Sequence, residues 1–556
     1  MILAEFEKLV QTPADVERLN EAILELAVHG RLNTQDPADE PAVELLQRIR
    51  AEKARREAAG ELRKSEPLAR VTAEEMPFAL PDGWVWTRLG DIAETEMGQS
   101  PPGNSYNESG EGVPLINGPV EFSSGPFGET VKTKFTTAPT KMCKKGALLV
   151  CVRGSTTGRT NIAGFDACIG RGVAALRAYI FQDYLNRFVL AMRQMIYSRG
   201  KGSTFPNISQ EQLRAIPFPL PPLAEQKRIV ARVDSLLART ASLKESLAAA
   251  QAERETLAAA SLHRWETGAD AAQSAAAWAL IRENFAAMID TPQSVAALKQ
   301  TILQLAVQGK LVAQDAADGP ASALLSRIRA EKARREAAGE LRKSEPLPKV
   351  KAEEMPFPLP AGWVWAKLGD AVIELQTGPF GSTLHKADYV TNGIPIVNPV
   401  NIQDGQIRVL EEMTVDARTR DRLQRYVLGR GDIVMGRRGE MGRCAAITER
   451  EAGWLCGSGS FAIKNSAEID PEYLVRVIRS PSARQYLAGD SVGATMNNLN
   501  HRVLANLILG LPPLAEQQRI VAQVDALFAL CDGLATGLAD GEALRARWVA
   551  AALAGV

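Results

Sequence analysis

Histidine is nearly missing from this chain: His29, His263, His385 and His501 are the only four in 556 residues, and they lie far apart. No local zinc motif can be assembled from them. The six cysteines (Cys143, Cys151, Cys168, Cys444, Cys456 and Cys531) show no C-x-x-C spacing, so buried reduced thiols are expected rather than a disulfide frame. No run of about 18 apolar residues occurs, and the opening MILAEFEKLV has early acids and neither a basic leader region nor a cleavage site. A soluble, cytoplasmic protein without a membrane partner is therefore expected. Lys+Arg and Asp+Glu number 65 each, so no chain-wide field advertises a polyanionic partner. A phosphate loop, an HExxH pair and a GxSxG elbow are all absent. The Pro-Pro pairs at 221–222 and 512–513 are flanked by leucine, unlike the Asn/Asp-Pro-Pro-aromatic motif that holds an amine for methylation. Glu-x-Lys triplets are too common in charged helices to mark a nuclease. These absences lean towards binding, and no catalytic, cofactor-binding or metal-ligating residue is assigned.

What is present is a repetition. Arg48 to Leu68 reads RIRAEKARREAAGELRKSEPL, and Arg327 to Leu347 repeats it letter for letter, 279 positions later. LAVHGRL (26–32) answers LAVQGKL (305–311), and GWVWTRLGD (83–91) answers GWVWAKLGD (362–370) at the same offset. LPPLAEQKRIVARVD (220–234) answers LPPLAEQQRIVAQVD (511–525) at an offset of 291, so the intervening block is 12 residues longer in the second copy. A repeat of this length is a duplicated domain set, and duplication yields a pseudo-twofold molecule.

Residues 1–32 read as helix, with Val16, Leu19, Ile23, Leu24 and Leu26 at helical spacing and Gly30 as its stop. A second helix spans Pro41 to about Lys64, opened by Asp39. Its AEKARREAAGELRK segment is charged nearly all round, the pattern of a solvated face. Its perfect repetition also suits contact with a partner shared by both copies. From Trp84 onward, short apolar runs broken by Gly, Pro, Asn and Ser predict strands and turns, with a helix at 181–198. After Pro222 a long helix is expected to about residue 262. Its narrow stripe is Val230, Val233, Leu237, Leu243 and Leu247, and the second copy has Val521, Val524, Phe528, Leu534 and Leu538. Residues 263–290 form an Ala-rich connector. Equivalence of the halves requires residues 1–31 to pack beside 514–553.

The charge is local rather than global. Between Lys141 and Arg214 stand 12 basic residues against three acids, and a second focus gathers Arg422, Arg425, Arg430, Arg437, Arg438 and Arg443. Such density inside a neutral chain fits phosphate contact, although surface arginines balanced by folding leave the same trace. VRGSTTGR (152–159) parallels GRRGEMGR (436–443), each with an arginine before one glycine and another after a second. Glycines let a turn approach a groove closely. GSTFPNIS (202–209) parallels GATMNNLN (493–500), either as a reading loop or as the seam that closes the variable block. The DNA-binding candidates are Lys144, Lys145, Arg153, Ser155, Thr156, Arg159, Lys201, Ser203 and Thr204 in the first block. In the second they are Arg437, Arg438, Arg443, Thr495 and Asn497. The GWVW tryptophans read as core anchors.

The frame LAVxGxL, the charged repeat, GWxWxxLGD and LPPLAEQxxIVxxVD, which covers nearly the whole chain twice, resembles the specificity subunit of type I restriction–modification systems. The resemblance implies an α+β chain with two mixed α/β target-recognition domains, at 84–220 and 363–511, separated by an antiparallel coiled-coil bundle. The bundle would come from a helical region at 1–83, a central region at 221–362 and a C-terminal helix at 512–556. It further implies that each domain reads one half of a bipartite site in double-stranded DNA, while the helices dock methyltransferase subunits, two of them, and restriction subunits, also two. Cofactors would belong to the complex alone: S-adenosylmethionine, and ATP with Mg for restriction. Two other readings stay open: a self-contained methyltransferase or nuclease with a duplicated recognition region, and a coiled-coil tether that never meets DNA.

Overall fold

The computed structural model describes residues 10–62, 66–199, 207–268, 271–343, 345–379, 383–489 and 499–554. The chain divides into two compact units, Met1–Gln251 with Glu542–Val556, and Ala252–Gly541. The first unit thus takes the end of the chain as its own, but only from Glu542; residues 514–541, which equivalence also placed beside 1–31, belong to the second unit. Arg18 pairs with Glu542 at 3.0 Å and Arg545 lies 3.6 Å from Asp15.

Each unit opens on the same capped helix. In Pro13–Val28 the Thr12 hydroxyl accepts from the Asp15 N–H, and the Asp15 carboxylate accepts from the Thr12 N–H. Thr291 and Ser294 make the same reciprocal pair at the start of Pro292–Val307. Such an N-cap contributes about 1 kcal/mol by satisfying otherwise orphaned helix donors. Gly30 and Gly309 follow the helix ends, both at φ +69°, and a Cβ there would come within 2.5 Å and 2.4 Å of Pro81 and Pro360. Left-handed backbone and that close approach together demand glycine in LAVxGxL.

The second helix is shorter than its composition suggests. It runs Ala42–Ala58, and its twin Ala321–Ala337, each after a proline at the N-cap. Asp39 does not cap it. Its carboxylate pairs with the Arg228 guanidinium instead, as Asp318 does with Arg519. One lysine of each identical charged segment bonds within its own unit. The Lys53 ammonium donates to the Gly90 carbonyl at 3.0 Å and Lys332 to that of Gly369 at 2.8 Å, each in the short helix of LGD.

Two motifs that are distant in sequence meet in one bond. The Trp84 indole N–H donates to the Glu225 carboxylate at 2.9 Å, and Trp363 to Glu516 at 3.0 Å. Gln226 accepts from the Phe181 N–H and donates to the Pro221 carbonyl, while Gln517 does the same with Asp470 and Pro512. The strand Val85–Arg88 pairs antiparallel with Pro217–Leu220, and Val364–Lys367 with Ile508–Leu511. GWVW and LPPLAEQ are therefore the two sides of one clasp that closes each variable block at its base.

Inside the clasp each block holds two larger sheets. One has four strands: Ala93–Met97, Val173–Ala178, Leu148–Cys151 and Thr160–Ile162 in the first domain; Glu374–Thr377, Ser460–Lys464, Ile433–Gly436 and Cys444–Ala446 in the second. The other is built round a parallel pair, Leu115 and Ile116 with Cys168 and Ile169, matched by Ile396 and Val397 with Leu455 and Cys456. Among the described residues, the hairpin Ile402–Gln403 with Gln406–Ile407 occurs in the second domain only and uses part of its extra length.

The long helices run Leu223–Thr267 and Leu514–Ala554. The first outlasts the expected end at 262, and the Ala-rich connector proves largely helical, with Ala271–Glu283 and Phe285–Met288. Alanine's high helix propensity carries this stretch once neighbours cover one face. Val230, Val233, Leu237, Leu243 and Leu247 pack on the first unit's core, and Val521, Val524, Phe528, Leu534 and Leu538 on the second's. Against the hydropathy expectation, Leu514–Arg547 is long and apolar enough to cross a membrane by composition alone.

Candidate nucleic-acid interface

Three backbone segments converge at one point in each variable block. In the first, the strand Leu148–Cys151 ends in the hairpin tip 152–159, closed by the Cys151 N–H donating to the Arg159 carbonyl at 2.8 Å. The Val152 N–H donates to the Gly172 carbonyl and the Val152 carbonyl accepts from Ile208. In the second domain the Gly436 N–H donates to Arg443, the Arg437 N–H to Gly459, and the Arg437 carbonyl accepts from Leu499. Val152 and Arg437 are therefore equivalent, as are Arg153 and Arg438. Each hairpin tip bends at two glycines of positive φ, Gly154 and Gly158 or Gly439 and Gly442.

On this scaffold the candidate residues separate. Arg153, Ser155 and Arg159 are exposed on the first tip and Thr156 is half-buried. Arg153 and Arg159 form no ion pair among the described residues. Arg438 is exposed on the second tip. Arg443 donates to the Arg438 carbonyl at 3.4 Å and so braces its own loop. Arg437 is committed to the seam: it stands 5.1 Å over the Phe461 ring and donates to the Leu499 carbonyl, and burial holds its guanidinium below the ordinary arginine value. Lys144 and Lys145 lie at the other end of the strand from the tip. There the Lys144 ammonium pairs with Asp166 at 2.8 Å and the Lys145 N–H donates to the same carboxylate. Lys201, Ser203, Thr204, Thr495 and Asn497 lie outside the described residues, as does Asn498, whereas Asn207 bridges to Arg153.

Part of the basic density is neutralised by folding. Lys141 pairs with Glu96, Arg187 with Asp234, Arg422 with Asp388, Arg425 with Glu374 and Arg430 with Glu449. The charge left over beside the first tip sits at a cleft of about 550 Å³ lined by Ser100, Tyr106, Asn117, Arg153, Gly154, Arg171 and Gly172. Sequence reasoning counted Arg171 only as bulk charge and passed over Tyr106 and Asn117. The signal available was the shared Gly-x-Gly at 170–172 and 457–459, just ahead of a strand. Among the described residues no group of three His, Cys, Asp or Glu side chains is placed to hold a metal.

Exposed guanidiniums on a glycine-bent tip, beside a cleft with amide, hydroxyl and aromatic groups, can contact phosphates and base edges at once. The comparisons with known proteins agree with that chemistry. The model of the type I restriction modification DNA specificity domain matches residues 81–252 and again 360–540. The type I restriction enzyme EcoAI specificity subunit of Escherichia coli is 32% identical over 93% of this chain and 90% of its own length. The EcoEI specificity subunit of the same species is 29% identical over 95% and 91%. Among solved structures, the HsdS subunit from Thermoanaerobacter tengcongensis shares 32% identity over 37% of this chain and 49% of that one, with a TM-score of 0.28.

Proposed function

Because the chain belongs to the specificity family of type I restriction enzymes, we propose that its two recognition domains each read one half of a bipartite duplex DNA site. The observation that carries this reading is the paired convergence at Val152 and Arg437: one backbone framework, two different sets of exposed side chains. Like frames with unlike faces suit two dissimilar half-sites joined by a pseudo-dyad. Arginines on the tips set register on phosphates, and the cleft side chains read base edges. The long helices set the half-site separation and dock two methyltransferase subunits, with two restriction subunits completing the complex. This chain supplies recognition without a catalytic centre of its own. S-adenosylmethionine, and ATP with Mg for restriction, are bound by those partners, in the cytoplasm. Methylome sequencing of a host with and without this gene tests the proposal. The expected result is a gene-dependent motif of two unlike halves with a fixed spacer; a single contiguous motif, or none, would overturn it.

A further inference from the structure

The turn that leads into the second strand of this four-stranded sheet makes the same backbone bonds in both domains, and its one exposed side chain differs. The Val173 N–H donates to the Gly170 carbonyl at 3.0 Å, and the Ser460 N–H to Gly457 at 3.1 Å. Gly170 donates to Ile116, and Gly457 to Val397; Gly98 donates to Val173, and Gly378 to Ser460. Position 171 therefore coincides with 458, and Asn117, which follows Ile116, coincides with Asn398. Tyr106 and Tyr389 likewise open equivalent strands.

A side chain on either glycine would displace its neighbours. A Cβ on Gly170 would fall 2.1 Å from the Asn117 Oδ1, and one on Gly457 2.2 Å from the Asn398 Oδ1. On Gly172 it would meet the Asn117 carbonyl at 2.8 Å, and on Gly459 Pro399 at 2.9 Å. The turn is thus a rigid mount for a single exposed side chain, arginine in the first domain and serine in the second. Around it Tyr, Asn and Arg are kept: Tyr106, Asn117 and Arg153 become Tyr389, Asn398 and Arg438. Arg171 lines the cleft beside Arg153 and forms no ion pair among the described residues, with only its backbone N–H tied, to Ser100.

Phosphates look alike at every sequence, so residues that hold them have no reason to differ between the two domains; Arg153 and Arg438 do not differ. A residue that tells one half-site from the other must differ. We infer that position 171/458 is a specificity-determining position: the Arg171 guanidinium reads a guanine, through its O6 and N7, in the half-site of the first domain. Ser458 gives the second half-site another preference. A bidentate arginine–guanine pair discriminates against other bases roughly tenfold or more, whereas a serine hydroxyl accepts several. The inference rests on the half-site reading above.

The full-length chain, copurified with its methyltransferase partner, is used to select from a randomised duplex library. Arg171→Ser and Arg171→Lys are compared with the natural chain, Lys keeping the charge and losing the planar fork. Both variants are expected to relax one guanine position of the first half-site about tenfold or more, with the second half-site's consensus intact as the control for folding. Ser458→Arg is expected to alter the second half-site alone. If Arg171→Ser weakens binding equally on all sequences and Arg171→Lys restores it, Arg171 is a phosphate contact and the inference fails. An unchanged consensus in Arg171→Ser also overturns it. A natural complex that enriches no sequence sinks the half-site reading itself.

Discussion

Changing Arg153 to Ala, and separately Arg438 to Ala, tests whether the hairpin tips face the DNA backbone. Both residues are exposed at equivalent points of their tips. Neither forms an ion pair among the described residues, so each positive charge is available to displace counterions. Loss of one phosphate contact reduces the slope of log K against log salt by about 0.9. Over an about fourfold rise in salt, the natural complex should then lose about 3.5-fold more affinity than the variant. A lost hydrogen bond to a charged group costs about 1.5 kcal/mol at fixed salt, roughly tenfold in Kd. Arg430→Ala is the control, because Arg430 is 73% exposed yet paired with Glu449 at 2.7 Å. Fluorescence anisotropy of a labelled duplex across a salt series reads all three variants. Slopes unchanged in both tip variants, or a slope shift as large in the control, would remove the tips from the interface.

Glu225→Ala leaves the buried Trp84 indole N–H unpaired and should destabilise the first unit by about 1–3 kcal/mol, read by hydrogen exchange. Burial pushes the Glu225 carboxyl above the usual carboxylate range, against the bonds from Trp84 and Gln35. The folded state then binds this proton more tightly than the unfolded chain. Its contribution to stability therefore falls as pH rises from the ordinary carboxylate value to the raised one, and is level above it. Glu225→Gln should remove that dependence while keeping an acceptor for Trp84; an unchanged pH profile would contradict the assignment. Burial also pushes the Cys151 thiol up to about 11 and those of Cys444 and Cys456 up to about 12. A thiol reagent at pH 8 should accordingly label these three slowly in the native chain and fast in denaturant, and prompt native labelling would refute the buried placement. Inserting one heptad into each long helix, within 230–250 and 521–541, adds about 10.5 Å of helix and should lengthen the preferred spacer by about three base pairs. A spacer that stays fixed would show that the helices do not set it.

The frame was legible because duplication marked it. Two offsets, 279 and 291, identified the opening helices, the LAVxGxL stop and the clasp segments without any knowledge of their contacts. The bond between Trp84 and Glu225 was not legible: 141 positions separate the pair, and propensity says nothing about a contact so far apart. The helical boundaries failed where tertiary packing overrides local signals. Asp39 looked like a cap until Arg228 claimed it, and the Ala-rich connector is helical rather than a linker. Charge counting overstated the free basic charge, since Lys144, Arg422, Arg425 and Arg430 pair with acids. The glycine-bent tips were read from their Arg-Gly pattern. The turn at 171 and 458 escaped because two glycines round a changing residue look ordinary until the fold shows how closely Asn117, Asn398 and Pro399 crowd them.

The central claim, one domain for one half-site, is tested most directly by replacing the first recognition block with the second. The junctions would lie at the clasp, GWVW and LPPLAEQ, and the methylome would be sequenced in a host carrying this doubled chain. The account predicts a symmetric site made of two inverted copies of the natural second half-site, with the first half-site gone. Retention of the original unlike halves would contradict it.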